Sequence, residues 1–130
     1  MNRYHIIRAT LESMAYQTCD VLRAMEADAG IPITALKVDG RASANDLLMQ
    51  FQADMIAEPV YRPYSVETTA MGAAYLAGLA VGYFESENEI IRNWRIDTVF
   101  KPELPEEIRQ KKLRGWEKAV TRARAWAEEE

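Results

Sequence analysis

The segment with the most promising chemistry is a predicted strand, turn and helix at residues 38–49, which reads V-D-G-R-A-S-A-N-D-L-L-M. A strand that enters a helix through small residues presents backbone N–H groups that favour an anion, typically a phosphate. Ligands of open α/β sheets also bind at the carboxyl ends of strands. Asn45 carries a donor and an acceptor together, the pair that recognises an adenine edge. Taken alone, the pattern favours a well-capped helix, and a nucleotide-binding turn is the alternative.

Other residues with chemical potential are isolated. His5 and Cys19 are the single histidine and the single cysteine, and their spacing makes neither a metal site nor a Cys-His dyad. Glu85, Glu87 and Glu89 are typical of a solvated acidic turn. The sequence contains no Gly-rich P-loop, no Asp-x-Gly-Thr phosphate loop, and no carboxylate in the context of a general base. These residues predict a chain that can bind a nucleotide, with no catalytic residue and no metal site of its own.

The residue pattern in the first half of the chain predicts the two helices and the strand that must position this turn. Apolar residues at helical spacing predict a long first helix, which Gly30 and Pro32 end. A short apolar run at 34–38 predicts a strand buried on both faces, as in a parallel sheet. Ser43 and Asp46 resemble a capping box that starts a second helix. Its predicted buried face comprises Leu48, Phe51 and Met55.

The second half predicts two further strands and three helices. Residues 59–62 form a second strand, and residues 66–81 a helix with unusually many small residues. Its glycines, Gly72, Gly78 and Gly82, each cost about 1 kcal/mol relative to alanine, so something must pack close to them. The pattern favours another helix over a nucleotide as the group that packs against these glycines. A short helix, an edge strand at 95–100 and a helix from Glu106 to the end follow, the last with these residues facing inward: Ile108, Leu113, Trp116, Val120 and Ala123.

The predicted order, α-β-α-β-α-α-β-α, indicates an α/β architecture with a parallel pair of strands at its centre. Two or three short strands are few for such a sheet, because parallel sheets need covered faces and edges. The helices also carry more apolar surface than so small a sheet can bury. The pattern therefore predicts a missing partner that covers the remaining apolar surface.

Length and composition indicate a globular domain and argue against several other classes of protein. The 130 residues, 48% apolar and 28% charged, suit one globular domain. With a formal charge of −4, the chain lacks the excess of basic residues that is typical of a nucleic-acid binder. One cysteine favours a reducing compartment, and we expect a cytoplasmic location. No apolar run reaches the roughly 18 residues of a membrane span, and the first ten residues lack a signal-peptide core.

Four blocks of the sequence resemble the glycerol kinases of the FGGY carbohydrate-kinase family. They are H-I-I-R-A-T-L-E-S-M-A-Y-Q-T-C-D-V-L-R-A-M at 5–25, K-V-D-G-R-A-S-A-N-D-L-L-M-Q-F-Q-A-D-M at 37–55, E-T-T-A-M-G-A-A-Y-L-A-G-L-A-V-G at 67–82 and G-W-E-K-A-V-T-R-A at 115–123. The blocks lie in the family's order and cover nearly the whole chain. Another member, such as a xylulose kinase, is disfavoured by the blocks at 50–54 and 71–82. The resemblance is to the last quarter or so of a much longer kinase.

The resemblance implies a partial ribonuclease H-like domain of the actin/hexokinase superfamily, a few parallel strands flanked by several helices. Residues 1–130 would be the later portion of its C-terminal, nucleotide-side domain. ATP or ADP with Mg²⁺ is the family's cofactor, and the resemblance places nucleotide contacts at Gly40, Ala42 and Asn45. Arg41 stands where the family has a second glycine. Arginine resists a positive φ and adds bulk, so we expect Arg41 to obstruct the nucleotide, with a phosphate contact as the alternative.

The resemblance also implies that the family's phosphate loop, glycerol-binding residues, catalytic base and Mg²⁺ carboxylates precede this segment. The expected function is therefore that of a fragment of an ATP-dependent glycerol kinase, natural or truncated, with part of the adenosine-binding surface and without activity in isolation. Its expected partners are the missing N-terminal part of the kinase or further copies of itself. The alternative is a non-catalytic self-association or interaction module.

Overall fold

A computed structural model of the chain describes residues 1–124. Helix α1 spans Arg3–Ala29 and begins at Asn2, whose side-chain oxygen accepts hydrogen bonds from the backbone N–H groups of Tyr4 and His5. It ends at Gly30, which takes the left-handed conformation with φ of 65°. This conformation is open to glycine at little cost, and it confirms the helix end predicted from the sequence.

The remaining elements follow the predicted order. They are strand β1 (Leu36–Lys37), a 3₁₀ turn (Arg41–Ala44), helix α2 (Asp46–Ile56), strand β2 (Val60–Pro63), helix α3 (Thr68–Ala80), helix α4 (Glu87–Asn93), strand β3 (Ile96–Phe100) and helix α5 (Glu106–Ala123). The α/β class is confirmed. The part of the last helix predicted beyond Arg124 lies outside the described residues.

The sheet has the order β1-β2-β3, and it is mixed, not parallel throughout. Strands β1 and β2 are parallel, with Leu36 beside Val60, whereas β2 and β3 are antiparallel, with Val60 beside Phe100. Two helices connect β2 to β3 and return the chain to the end of β2 that it left, so β3 must run the opposite way. The predicted parallel pair is confirmed in β1 and β2, and β3 is an edge strand as predicted, added in the antiparallel direction.

Strand β1 is covered on one face, and the prediction of two buried faces is wrong. Leu36 and Val38 pack against the core, whereas Lys37, between them in the pleat, is exposed. The Lys37 ammonium lies 4.6 Å from the ring centre of Trp94. The face of β1 that carries Lys37 borders an open cavity that Tyr75 and Trp94 also line, so the lysine remains exposed.

The core lies where α1, α2 and α5 meet against the sheet. The Tyr16 ring stacks on Trp116 at 5.3 Å between ring centres and meets Phe51 edge-on at 5.4 Å. The predicted inner face of α2 is confirmed, since Leu48, Phe51 and Met55 are all buried. Met55 and Val60 are fully enclosed.

Helix α5 buries a narrower stripe than its apolar pattern predicts. Leu113 is buried and Trp116 and Val120 are half-buried, but Ile108 and Ala123 are exposed. Helix α5 packs on one side only, against α1 and α2, so residues at the margins of the stripe meet solvent. The inward assignment of Ile108 and Ala123 is wrong for this reason.

Close packing against the small residues of α3 occurs at Gly78. A methyl group added there would lie 2.6 Å from the ring of Phe84, whereas one at Gly72 would meet nothing within 4 Å. Gly82 lies beyond the helix with φ of 73°. The structure thus accounts for Gly78 by aromatic packing from the following turn and for Gly82 by backbone conformation.

An apolar stripe on α1 is only partly covered by the described residues. It consists of Ile7, Met14, Val21 and Met25, each about half exposed or more, on the side of the helix away from Ala15 and Cys19. Helices α3 and α4 also expose large apolar side chains, among them Leu76 and Ile91. None of the described helices is both long and apolar enough to cross a membrane.

Candidate functional site

The turn between β1 and α2 begins at Gly40, whose backbone has φ of 75° and ψ of 173°. This region of backbone space is essentially restricted to glycine. An added methyl group would meet nothing within 4 Å, so conformation and not crowding demands glycine here. The Gly40 N–H donates to the carbonyl of Val66 at 2.9 Å, which ties the turn to the segment before α3.

Ser43 closes the turn from within. Its side chain is 1% exposed, and its hydroxyl donates to the Gly40 carbonyl at 2.7 Å. The Ser43 N–H donates to the same carbonyl at 3.1 Å. The predicted capping box of Ser43 and Asp46 is therefore wrong, because the 3₁₀ turn directs the serine hydroxyl back to Gly40.

Asn45 is the residue that caps α2. Its side-chain oxygen accepts a hydrogen bond from the Leu48 N–H at 3.0 Å, and its own N–H donates to the Ala42 carbonyl at 3.2 Å. The residue is exposed. Because the oxygen is engaged in the cap, the side-chain NH₂ is the group of Asn45 best placed to donate to a ligand.

Arg41 is the first residue of the 3₁₀ turn and needs no left-handed backbone. Within residues 1–124, Ala57 is the only non-glycine residue with a positive φ, so the expected conformational conflict at Arg41 is wrong. The arginine side chain is exposed and has no hydrogen bond or ion pair to residues 1–124. A ligand at this turn would therefore contact the long side chain of Arg41, and the Arg41 backbone conformation would not oppose binding.

Arg62, on β2, is a residue of this region that the sequence reasoning missed. Its side chain is 13% exposed, and Nη1 donates to the Ser43 carbonyl at 3.1 Å and to Asp46 at 2.7 Å. The hydrogen bonds that Arg62 donates, to Asp46 first and also to Asp97, raise its pKa. The available signal was an arginine within a short apolar strand, together with Asp97 and Thr98 in the strand predicted to pair with it.

Two open cavities flank the end of β1. One, of about 300 Å³, is lined by α1 and the turn, including Met14, Leu36 and Ala42. The other, of about 460 Å³, lies on the opposite side, with Asp39, Tyr75 and Trp94 in its wall. Gly40, Arg41 and Asn45 are exposed. The structure therefore brings Gly40, Arg41, Ala42 and Asn45 onto one exposed turn at the carboxyl end of a strand.

The other residues considered for chemistry have local structural roles. His5 lies in the first turn of α1, where its Nδ1 accepts from the Asn2 N–H at 3.2 Å. Cys19 is buried, and burial raises the pKa of its thiol. Glu89 accepts a hydrogen bond from the Glu85 N–H at 2.9 Å. Within residues 1–124, no three His, Cys, Asp or Glu side chains converge into a group that could hold a metal ion.

Comparison with known proteins reveals strong similarity to glycerol kinases. The chain is 63% identical over 130 residues to a glycerol kinase of Agathobacter rectalis, which covers all of this chain and 26% of that protein. A glycerol kinase of Caldanaerobacter subterraneus subsp. tengcongensis is 65% identical over 127 residues, covering 98% of this chain and 26% of that protein. The chain thus spans about a quarter of the length of these curated relatives.

Solved structures agree with the predicted fold. The crystal structure of Plasmodium falciparum glycerol kinase with ADP superimposes with a TM-score of 0.84 at 35% identity, over 95% of this chain and 25% of that one. A ligand-bound xylulose kinase from Lactobacillus acidophilus superimposes with a TM-score of 0.69 at 21% identity, over 98% and 26% of the two chains. The prediction of part of an actin-like ATPase fold is confirmed by these neighbours.

The family model that matches is the C-terminal domain of the FGGY family of carbohydrate kinases, over residues 1–81. The match includes β1, the turn, α2 and β2, and therefore all of the Gly40–Asn45 turn together with Arg62. The chain belongs to the FGGY family of carbohydrate kinases.

Proposed function

We propose that the chain forms the later portion, residues 1–130, of the C-terminal, nucleotide-side domain of a glycerol kinase. In that setting it supplies part of the surface that binds adenosine while the γ-phosphate of ATP passes to the 3-hydroxyl of glycerol. The observation that carries this proposal is the exposed Gly40–Asn45 turn, in a chain more than 60% identical to two glycerol kinases. The similar Plasmodium falciparum enzyme was solved with ADP, which supports an adenine nucleotide as the ligand.

The residues of the turn have different roles in this proposal. Gly40 and Ala42 are small and exposed, so a nucleotide can approach the backbone there. The N–H groups at the start of a helical turn have no partner within the turn, and they favour a negatively charged ligand. Asn45 then donates from its side-chain NH₂ to the adenine edge. Arg41, which projects from the same turn, lies where its length obstructs the ligand.

Phosphoryl transfer requires more than these residues provide. The reaction depends on positioning, on Mg²⁺ and on a group that orients the acceptor hydroxyl. Within residues 1–124 no carboxylate cluster is suited to Mg²⁺, so we propose that Mg²⁺, glycerol and the catalytic base are held by other parts of the kinase. The residues of this chain bind and orient the adenosine end of the nucleotide.

The half-exposed apolar stripe of α1 is proposed as the face on which other parts of the kinase pack. Met14 of that stripe and Leu36 of β1 line the same open cavity, so the stripe continues onto the outer edge of the sheet. The length of the relatives, about four times that of this chain, supports a large covering body. Further copies of the chain can occupy the same face.

The single buried cysteine suits a cytoplasmic location. The comparisons do not support the alternative of a non-catalytic interaction module.

The adenosine role of Asn45 is tested by two substitutions that separate its two functions. Asn45→Ala removes the helix cap and the NH₂ donor, and it should lower the free energy of unfolding by about 1 kcal/mol and abolish ADP binding. Asn45→Asp keeps an acceptor for the Leu48 N–H, so it should retain stability and still lose ADP affinity. Calorimetric titration with ADP and urea unfolding measure the two effects. Unchanged ADP affinity in Asn45→Asp, or no binding of millimolar ADP by the unaltered chain, contradicts the proposal.

The obstruction by Arg41 is tested by restoring the family's glycine. Arg41→Gly should strengthen ADP binding by about tenfold if the long side chain costs roughly 1.4 kcal/mol of binding free energy. Arg41→Ala removes the same bulk without the added backbone freedom and should give most of the gain. Titration of the three chains with ADP at two salt concentrations checks this. Weaker binding in both variants, together with a smaller salt dependence, would show that Arg41 contacts a phosphate instead.

A further inference from the structure

The Arg62 guanidinium connects three elements around the turn. From β2 it reaches the Ser43 carbonyl in the 3₁₀ turn, Asp46 in the first turn of α2, and Asp97 with Thr98 on β3. A bulge explains how one arginine meets two successive residues of β3. Arg62 pairs with Thr98, but the next residue, Pro63, pairs with Ile96, so Asp97 is extra in the ladder and turns toward the arginine.

The protein accepts hydrogen bonds from four of the five N–H groups of this arginine. A guanidinium has five N–H groups. Nη1 donates at 2.7 Å to Asp46 and 3.1 Å to the Ser43 carbonyl, and Nε donates to Asp97 at 2.9 Å. Nη2 lies 2.9 Å from Asp97 and 3.2 Å from the Thr98 hydroxyl. With four N–H groups hydrogen-bonded and Nη2 also in an ion pair with Asp97, Arg62 is engaged by the protein, in contrast to the exposed Arg41.

The two contacts that Arg62 makes beyond the sheet lie on either side of Asn45. Ser43 precedes it by two residues and Asp46 follows it directly. The Ser43 side chain is itself held by Gly40, so a bond to the Ser43 carbonyl also restrains the start of the turn. The Phe100 ring lies under the guanidinium, 5.1 Å from its carbon, and limits its movement. The arginine thus determines where the turn sits relative to the sheet.

We propose that Arg62 is a positioning residue for nucleotide binding, which holds the turn in the conformation that presents Ala42 and Asn45 to a nucleoside diphosphate. This inference rests on the proposed function. The planar fork of arginine matters, because a lysine ammonium is a point donor that cannot hold a carbonyl and two carboxylates in this arrangement. Arg62 acts through the turn and does not contact the nucleotide.

The experiment compares backbone amide hydrogen exchange at residues 41–48, without nucleotide, in the unaltered chain and in Arg62→Gln and Arg62→Lys. Both variants should exchange roughly tenfold faster there, and both should bind ADP roughly tenfold more weakly. Asp46→Asn removes the negative charge of one exposed partner of Arg62 with little risk to folding and should shift exchange in the same direction, by less.

Arg109→Gln is the matched control. The Arg109 side chain is 14% exposed, and it also joins a backbone carbonyl, that of Met55 at 3.0 Å, to a carboxylate, Glu106 at 2.7 Å. It lies on α5, away from the turn. Its loss should lower the free energy of unfolding while leaving the exchange rates at 41–48 and the ADP affinity of the folded chain near those of the unaltered chain.

Three outcomes would overturn the role of Arg62. Exchange at 41–48 could stay unchanged in all Arg62 and Asp46 variants, it could rise equally in Arg109→Gln, or Arg62→Lys could restore both exchange and ADP affinity. Failure of the unaltered chain to bind millimolar ADP is a different result. It overturns the proposed function and the nucleotide part of this inference, while the exchange data still decide whether Arg62 holds the turn.

Discussion

Met55→Ala should lower the free energy of unfolding by about 2–5 kcal/mol. Met55 is fully buried on the inner face of α2, so truncation removes apolar surface from the core and leaves a cavity. The backbone carbonyl of Met55 accepts from Arg109 and from the Cys19 thiol, and those contacts survive the substitution. The measured loss therefore reports side-chain packing.

Met14→Ala is the control for this substitution, since it makes the same chemical change on α1 at a residue that is 46% exposed. It should alter stability by no more than about 0.5 kcal/mol. Urea unfolding of the three chains, followed by circular dichroism at low protein concentration, compares them. Equal losses at Met14 and Met55 would show that the α1–α2–α5 core is misplaced.

Gly40→Ala and Gly72→Ala should change stability in opposite directions. At Gly40 a side chain must adopt φ of 75° with ψ of 173°, which costs about 1–3 kcal/mol. At Gly72, inside α3, an added methyl group meets nothing within 4 Å, and alanine should stabilise the helix by about 0.5–1 kcal/mol. The opposite signs follow from backbone conformation alone, because neither position is crowded.

The same pair of variants separates an effect on the turn from an effect on the whole fold. Gly40→Ala should also weaken ADP binding, since relief of the strain shifts the carbonyl that accepts from Ser43. Gly72→Ala should leave binding unchanged. Thermal unfolding and ADP titration provide both readouts. A stabilised Gly40→Ala variant would refute the glycine requirement of the turn.

The sequence predicted the elements well where their signals are local. Gly30 ends α1 because its left-handed conformation is available to glycine in any fold, and the period of Leu48, Phe51 and Met55 reveals the inner face of α2. The sequence places the cap of α2 at Ser43, whereas Asn45, two residues later, caps the helix. The Ser43 hydroxyl satisfies either a cap or a 3₁₀ turn, and the sequence alone does not distinguish them.

The sheet was harder to predict because strand direction and register depend on contacts between distant residues. The direction of β3 depends on where α3 and α4 return the chain, and the bulge at Asp97 depends on pairing with β2. Lys37 is exposed because its face of β1 borders an open cavity lined by residues distant in the sequence, Tyr75 and Trp94. None of these follows from the local pattern of apolar residues.

The sequence by itself determined the family resemblance, the order of elements and the location of the candidate turn, because each depends on residues near one another along the chain. Only the tertiary structure decided how that turn is held. Arg62 lies nineteen residues after Ser43 and more than thirty before Asp97, and it reaches both. Such contacts arise when β2 and β3 pair beside the start of α2, since hydrogen bonds of a guanidinium depend on distance and direction in space.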